Sequence, residues 1–214
     1  MIFSRWYLTA NLAISVVLFC CTFAPAETLV FQPGPELGKD AYVYSNAPET
    51  NYGEVSYLKV GTIFGEGDYQ FSYIEFVELN DYIGNIVIEE AYLKLHGNSN
   101  KTLIATIYSV KDKWQEDTIT WSNKPEYYHT PRIIIEIPKE QQWVVTDVTE
   151  IVELWVDEER PNCGFALISY GAPYNGQACF ASSDLGGFEP KLEITFEYTI
   201  KNNSSIGQIK ALMK

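Results

Sequence analysis

Hydrophobic and polar residues alternate with a period of two along most of the chain after residue 26. The two clearest stretches place on one face Ala91, Leu93 and Leu95, and Leu192, Ile194, Phe196 and Tyr198. Most of the intervening residues are charged. Successive side chains of a strand point to opposite faces, so each of these strands would have one buried and one solvated side. The pattern predicts antiparallel sheets.

Eight further segments carry strand-forming residues and are bounded by Gly, Pro, Asn and Asp. They are Tyr42–Tyr44, Tyr57–Val60, Gln70–Val77, Leu103–Val110, Arg132–Ile137, Trp143–Asp147, Gly164–Ser169 and Cys179–Ser182. Turn residues, such as those of 97–100, separate them. About ten short strands are typical of two packed antiparallel sheets. We therefore predict an all-β fold, an antiparallel β-sandwich that occupies residues 27–198 as one domain.

One stretch follows a helical period instead. Its apolar residues recur at steps of three and four: Val148, Ile151, Val152 and Trp155. The spacing predicts one short helix from Thr149 to Asp157, ended before Pro161. Asp147 is its predicted N-cap, with Glu150 completing a capping box. Trp155 lies on the apolar face of this helix and is expected in the core.

The two ends of the chain differ in composition from the rest. Arg5, the apolar run Leu12–Phe19 and Ala24-Pro25-Ala26 follow the order of a secretory signal peptide, residues 1–26, cleaved before Glu27. The run is shorter than the roughly 20 residues that span a bilayer, and an uncleaved anchor is the alternative. Residues 199–214 predict a flexible C-terminal tail, which is similar to short endings on exported bacterial chains.

The formal net charge of −13 at pH 7 limits the partners that the chain can bind. Such a chain repels nucleic acid and anionic membranes, whereas neutral glycans meet no electrostatic penalty. No second long apolar stretch follows the predicted leader. We expect a protein secreted to the extracellular space or the cell surface, with no membrane or nucleic-acid partner after cleavage.

Two cysteines, Cys163 and Cys179, follow the predicted leader. Residues 171–176 predict a hairpin turn that would place Cys179 opposite Ile168. Cys163 would then lie about 16 Å away at about 3.3 Å per residue, whereas a disulfide needs Cα atoms within about 7 Å. The spacing favours two free, buried thiols, with a disulfide as the alternative.

Residues suited to catalysis are sparse. The sequence holds two histidines, His96 and His129, and no His-Glu-x-x-His, paired Cys-x-x-Cys or glycine-rich phosphate motif. A hydrolase needs a nucleophile with a base, or a positioned pair of carboxylates. The carboxylates here fall mostly on solvated strand faces. We expect no enzymatic activity and no cofactor, with a polysaccharide lyase or hydrolase as the alternative.

Aromatic residues are abundant and indicate binding. Sugar rings stack their apolar faces on aromatic planes, so tyrosines beside loops are candidate carbohydrate contacts. The candidates are Tyr52, Tyr57, Tyr127, Tyr128, Tyr170 and Tyr174. Single exposed aromatics are also common without any function, and most tryptophans of a sandwich fill the core.

The segment Trp114–Pro125 has the sequence WQEDTITWSNKP. It resembles the Trp-x-Glu-x-Thr-(Ile/Val)-Thr-Trp-x-Asn-x-Pro signature of DNRLRE domains. These domains are also classed as family 96 carbohydrate-binding modules and are related to the disaggregatase repeat. Shorter matches agree in order: 40–43, 51–53 and 58–61 at the start, 147–149 with Trp155 in the middle, and 180–183 and 190–192 at the end.

The resemblance implies a jelly-roll-like β-sandwich that is secreted and holds a larger assembly to polysaccharide. Some relatives bind acidic polysaccharides through basic residues, and Lys59 is the best basic contact here. The family usually carries an arginine just before one strand and often a basic residue within it. The corresponding strand here contains Glu75 and Glu78, which make the region acidic and argue against uronic-acid binding. By the period of two, Ile119 and Trp121 would share a strand face, and Trp114 and Trp121 are expected to fix a long crossover between sheets.

The sequence therefore predicts a secreted, non-catalytic carbohydrate-binding module that attaches to extracellular or cell-wall polysaccharide. The alternative is a structural protein of the cell surface or matrix without a sugar site. Sandwiches also hold structural calcium on loop carboxylates, and Asp40 and Asp184 lie in suitable loops. Metal binding is otherwise open.

Overall fold

The computed structural model describes residues 26–170 and 176–199. Residues 1–25 of the predicted signal peptide, residues 200–214 of the predicted tail, and Tyr174 lie outside the described residues. The strands are β1 (Glu27–Phe31), β2 (Lys39–Tyr44), β3 (Tyr57–Thr62), β4 (Tyr69–Glu75), β5 (Ile86–Ser99), β6 (Leu103–Ser109), β7 (Ile133–Ile137), β8 (Gln142–Asp147), β9 (Phe165–Ile168), β10 (Gln177–Ala181) and β11 (Lys191–Tyr198). A 3-10 helix covers Val77–Asp81, and helix α1 covers Thr149–Val156. Neither helix is long and apolar enough to cross a membrane.

The strands pair antiparallel in the order β1-β11-β5-β10-β3-β4-β9-β6-β7, with β2 on β4 and β8 on β5. The sheet folds into two layers, because inward side chains of β5, β10 and β11 share one core with those of β4, β6 and β9. Strand β3 joins the layers through β10 on one side and β4 on the other. This is the predicted jelly-roll-like antiparallel β-sandwich with one short helix.

The period of two correctly predicted the main core. Ala91, Leu93 and Leu95 of β5 are at most 2% exposed, and the inward residues of β11 pack with them. Trp155 of α1 is 1% exposed, and its Nε1 donates to Ser109 Oγ at 2.9 Å. The expected core role of Trp155 is therefore confirmed, and its one polar atom has a buried partner.

A second apolar cluster covers the outer face of β2, β4 and β9. Trp114 and Ile119, from the segment that joins β6 to β7, pack there against Phe71, Tyr73 and Ile168. The predicted crossover between sheets was wrong, because β6 and β7 are neighbours in one layer. Residues 116–118 and 121–123 form turns, so Ile119 and Trp121 do not lie on a strand. Strand β4 is consequently buried on both faces and does not alternate.

The predicted hairpin at 171–176 was also wrong. Strand β9 pairs with β4 and β6, whereas β10 pairs with β3 and β5, so the chain passes from one layer to the other between them. Both cysteines are free, as predicted; Cys163 is buried but Cys179 is exposed, contrary to the expectation. Cys179 lies opposite Lys59 and Asn98 instead of Ile168.

Two local signals were misjudged. The N-cap of α1 is Val148, which has no side-chain cap. Asp147 Oδ1 instead accepts the backbone N–H of Thr149 at 2.9 Å, one position earlier than a capping box requires. Strand β5 continues through the predicted turn at 97–100 as far as Ser99, because a Cβ on Gly97 would lie 2.2 Å from Cys179 O and glycine permits this close approach.

Candidate functional site

Strand β3 presents two predicted site residues, Tyr57 and Lys59, on its solvated face. Leu58 and Val60 alternate with them and are fully buried in the core. Lys59 Nζ lies 4.8 Å from the centroid of the Tyr57 ring and 5.3 Å from that of Tyr42. The strand period thus holds an ammonium group against two aromatic faces in a cation–π arrangement.

Tyr52 joins the same group through Tyr42. These two rings stack with centroids 4.2 Å apart and planes within 17°, and Tyr42 lies 6.1 Å from Tyr57. Tyr42 is 3% exposed whereas Tyr57 is 39% exposed, so Tyr42 is the base beneath the accessible rings. We name Tyr42, Tyr52, Tyr57 and Lys59 the tyrosine–lysine cluster.

Sequence reasoning missed Tyr42. The available signal was the alternation in β2, where Ala41 and Val43 belong to the second apolar cluster and Tyr42 points to the opposite face. That signal does not show which strand faces Tyr42, because β2 and β3 do not pair with each other.

The loop that carries Tyr52 is held by the Trp114–Pro125 segment. Asn51 Nδ2 donates to the carbonyl oxygens of Glu116 at 2.7 Å and Ile119 at 2.8 Å. A Cβ on Gly53 would lie 2.4 Å from Glu116 O, so glycine allows the two segments to approach this closely. The signature segment therefore positions one ring of the cluster.

The cluster presents one cation among neutral rings. None of the described carboxylates forms an ion pair with Lys59, whereas Lys39, Lys94 and Lys111 each pair with a glutamate. Burial raises the pKa of the Tyr42 hydroxyl, and the neighbouring tyrosines raise it further. Such a surface can stack an apolar sugar face and donate hydrogen bonds to hydroxyl or carboxylate oxygens.

Tyr127 and Tyr170 form a separate pair on the other layer. Their hydroxyl oxygens are 3.0 Å apart. Tyr127 stacks on Tyr108 at 4.6 Å, and the edge of Tyr170 meets Tyr69 at 5.4 Å. Burial raises the pKa of Tyr127, as does the hydrogen bond with Tyr170. The hydroxyl groups and rings of this pair already contact each other and neighbouring tyrosines of the protein, although Tyr170 is 53% exposed.

Tyr128 belongs to neither group. The Arg160 guanidinium lies 4.2 Å from its ring centroid and Lys111 Nζ lies 5.6 Å from it. Arg160 Nη1 also donates to Thr130 O at 2.6 Å, which ties this ring to the loop before β7. The structure thus brings together Tyr52, Tyr57 and Lys59, pairs Tyr127 with Tyr170, and separates Tyr128 from both.

A further aromatic group, not predicted, lies on the outer face of β5 and β8. His96 stacks on Phe188 at 4.2 Å and lies 5.2 Å from Trp143. Lys191 Nζ is 4.6 Å from the Trp143 ring centroid. We name His96, Trp143, Phe188 and Lys191 the tryptophan cluster. The period of two could place His96 and Trp143 on solvated faces, but not beside Phe188.

Carboxylates gather at the start of β2. Asp40 is 2% exposed; its Oδ2 accepts the N–H of Ser183 at 2.8 Å, and its Oδ1 has no hydrogen-bond partner among the described residues. Glu116 Oε1 accepts the N–H of Asp40 at 2.8 Å. Burial raises the pKa of Asp40 to about 7, opposed by the Ser183 N–H and reinforced by Glu116.

In residues 26–170 and 176–199, no group of three His, Cys, Asp or Glu side chains is arranged to hold a metal ion. Asp40 lies within strand β2 and not in a loop, so that part of the calcium prediction was wrong. Calcium binding at Asp40 and Asp184 itself stays a prediction.

Solved structures give only distant likenesses. A family two carbohydrate esterase from Cellvibrio japonicus is 12% identical with a TM-score of 0.32, covering 81% of this chain and 35% of that chain. This chain thus spans about a third of the length of that esterase. A mud crab tombus-like virus structure is 11% identical with a TM-score of 0.23, covering 98% of this chain and 99% of that chain. The empty particles of cowpea mosaic virus are 11% identical with a TM-score of 0.19, covering 82% of this chain and 85% of that chain. None of these likenesses is strong enough to bear on function.

No curated protein matches the sequence. One family model does, and its match covers residues 35–196, well over half of the chain. The matched range contains the Trp114–Pro125 signature, the tyrosine–lysine cluster and the tryptophan cluster. The chain belongs to carbohydrate-binding module family 96.

Proposed function

We propose that this protein is a secreted, non-catalytic module that attaches to extracellular or cell-wall polysaccharide through the tyrosine–lysine cluster. The observation that carries the proposal is the contact of Lys59 with Tyr57 and Tyr42, on which Tyr52 stacks. Family membership supports a carbohydrate partner. The net charge of −13 supports a glycan over nucleic acid, and the order of residues 1–26 supports secretion.

Both histidines pack against aromatic rings of the protein. His96 is stacked on Phe188, and His129 lies 5.2 Å from the ring of Tyr127. Neither histidine has a hydrogen bond from a serine, threonine or cysteine side chain among the described residues, as an activated nucleophile would require. We therefore assign neither a catalytic role.

Affinity electrophoresis of the full chain in gels containing single polysaccharides tests the proposal. We expect retardation of the wild type, and retardation about three- to tenfold weaker for Tyr57→Ala and Lys59→Ala, because each loses one stacking or cation–π contact. Mobility is compared with a ligand-free gel, since Lys59→Ala changes the charge. Phe64→Ala is the matched control, since Phe64 is 80% exposed and lies outside the cluster.

Two outcomes would contradict the proposal. Absence of retardation in every polysaccharide tested would favour the structural surface role. Release of reducing sugar by the purified protein would favour the enzymatic alternative.

A further inference from the structure

A shallow groove of about 290 Å³ crosses the outer face of the sheet beside the tyrosine–lysine cluster. It extends over β3, β10, β5 and the approach to β8. Tyr57 lies at one end of the lining, and His96 and Gln141 lie at the other. The groove therefore leads from the tyrosine–lysine cluster to the tryptophan cluster.

The strand register explains this arrangement. Lys59 is paired with Cys179, and Cys179 with Asn98, so the three side chains form one row on the same face. Strands β3 and β5 both pair antiparallel with β10, so they run in the same direction. Tyr57 and His96 lie two residues earlier on these strands and face the same side as Lys59 and Asn98. His96 is paired with Trp143 of β8. Three strand intervals separate Tyr57 from Trp143, about 14 Å at about 4.8 Å each.

The centre of the groove is low and its ends are aromatic. Gly97, Cys179 and Ala181 have little or no side chain and form the floor. Tyr57 closes one end at 39% exposure. Phe188, 44% exposed and stacked on His96, stands at the other end. A flat ligand can therefore lie on the floor with aromatic planes against both of its ends.

The lining is uncharged apart from the ionisable His96. It contains no Lys, Arg, Asp or Glu, and its polar groups include the amides of Asn98 and Gln141 and the hydroxyl of Ser56. Amides offer both donors and acceptors, as the hydroxyl groups of a sugar require. Lys59 and Lys191 lie beyond the lining, each against an aromatic ring. This chemistry fits a neutral, hydroxyl-rich ligand.

We propose that this groove binds an internal stretch of a neutral polysaccharide chain, laid across the strands from Tyr57 to Trp143. The inference rests on the proposed function and extends its site to Asn98, Gln141 and the tryptophan cluster. The distance between the two ends accommodates several sugar units in a row. Longer oligosaccharides therefore gain affinity until they reach the tryptophan cluster.

We call this path from Tyr57 to Trp143 the track. Calorimetric titration with neutral gluco-, xylo- and manno-oligosaccharides of increasing length tests it. Wild type should gain affinity with length. Trp143→Ala and Phe188→Ala should lose about three- to tenfold in affinity for the long ligands only, because short ligands do not reach the tryptophan cluster. Tyr57→Ala should weaken every length, and the control Phe64→Ala none.

The other possible results bear differently on the two proposals. Binding by wild type that Trp143→Ala and Phe188→Ala leave unchanged overturns the track and leaves the proposed function standing. Binding lost instead in Tyr170→Ala moves the site to the other layer, which overturns both the track and the assignment of binding to the tyrosine–lysine cluster. Binding confined to polyuronates overturns the neutral ligand. Absence of binding to any glycan defeats both proposals.

Cys179 supplies a readout that does not depend on substitutions. Its exposed thiol lies on the groove floor, whereas Cys163 is buried. Desolvation raises the pKa of Cys179, so alkylation with iodoacetamide is best followed at alkaline pH by site-resolved mass spectrometry. A bound oligosaccharide at about ten times its Kd should slow alkylation of Cys179 about tenfold. An unchanged rate with bound ligand would place the ligand elsewhere and overturn the track.

Discussion

Asp40 shows how one buried side chain is constrained by several segments. Its carboxylate receives one backbone N–H, from Ser183, while its own backbone N–H donates to Glu116. The second oxygen, Oδ1, has no partner among the described residues. Burial disfavours the charged form of this carboxylate more than hydrogen bonding with Ser183 favours it, and its pKa rises to about 7. The folded protein therefore retains a proton that the unfolded chain releases near pH 4.

This predicts the direction of one pH effect. The contribution of Asp40 to stability is greatest below about pH 4 and is lost as pH rises to about 7, a difference on the order of 4 kcal/mol. Asp40→Asn keeps an acceptor for Ser183 and places an amide donor near Glu116. We expect Asp40→Asn to unfold at higher urea concentration than wild type at pH 8, with the advantage shrinking towards pH 4. An equal difference between the two proteins at both pH values would contradict the prediction.

At the scale of elements, one hydroxyl joins helix α1 to the longest strand. Thr149 Oγ1 accepts the backbone N–H of Ala91 at 2.9 Å and donates to Asp147 Oδ1 at 2.6 Å. The helix begins where β8 ends, and α1 packs its apolar face on the core. Thr149 thus aligns the first turn of α1 with β5.

Thr149→Val keeps the shape and removes the hydroxyl. The N–H of Ala91, which is 0% exposed, would lose its acceptor, and we expect unfolding free energy to fall by about 1–3 kcal/mol. Chemical denaturation measures the loss. Thr102→Val, at an exposed position, is the control and should change stability little. A loss no larger than that of the control would contradict the assigned role of Thr149.

Strand β10 can approach β5 only because Gly97 has no side chain. A Cβ there would meet Cys179 O at 2.2 Å and the Phe180 side chain at 2.6 Å. We expect Gly97→Ala to push β10 away, lower unfolding free energy by roughly 1–3 kcal/mol and speed the alkylation of Cys179. Gly34→Ala is the control, since nothing lies within 4 Å of its added Cβ. Unchanged stability and alkylation would show that β5 and β10 do not meet at Gly97.

At the scale of the whole molecule, the charge of −13 decides how binding responds to salt. A neutral ligand has no Coulomb interaction with this field, so its affinity should stay constant between about 0.05 M and about 0.5 M salt. A polyanionic ligand would be repelled at low salt and would bind more tightly as salt screens the repulsion. Titration across that range measures the difference. Tightening with salt for the preferred glycan would contradict the neutral ligand.

The sequence by itself determined the class of the molecule. Hydrophobic alternation requires one buried face for each strand, and a chain with ten such segments can bury them only in stacked sheets. The same local rules predicted α1 and the core position of Trp155. The signature Trp114–Pro125 indicated the family, which the match over residues 35–196 confirms. Tyr52, Tyr57 and Lys59 could be named as candidate contacts, and their part in binding stays a prediction.

Only the tertiary structure decided which residues meet. Strand β10 lies between β3 and β5, which brings Lys59, Cys179 and Asn98 into one row although they are far apart in the sequence. Periodicity gives the face of each strand but not its neighbour, because pairing depends on long-range contacts that local spacing does not contain. For that reason the sequence predicted a hairpin where the chain changes layers, and it indicated neither Tyr42 nor the groove that ends at Trp143.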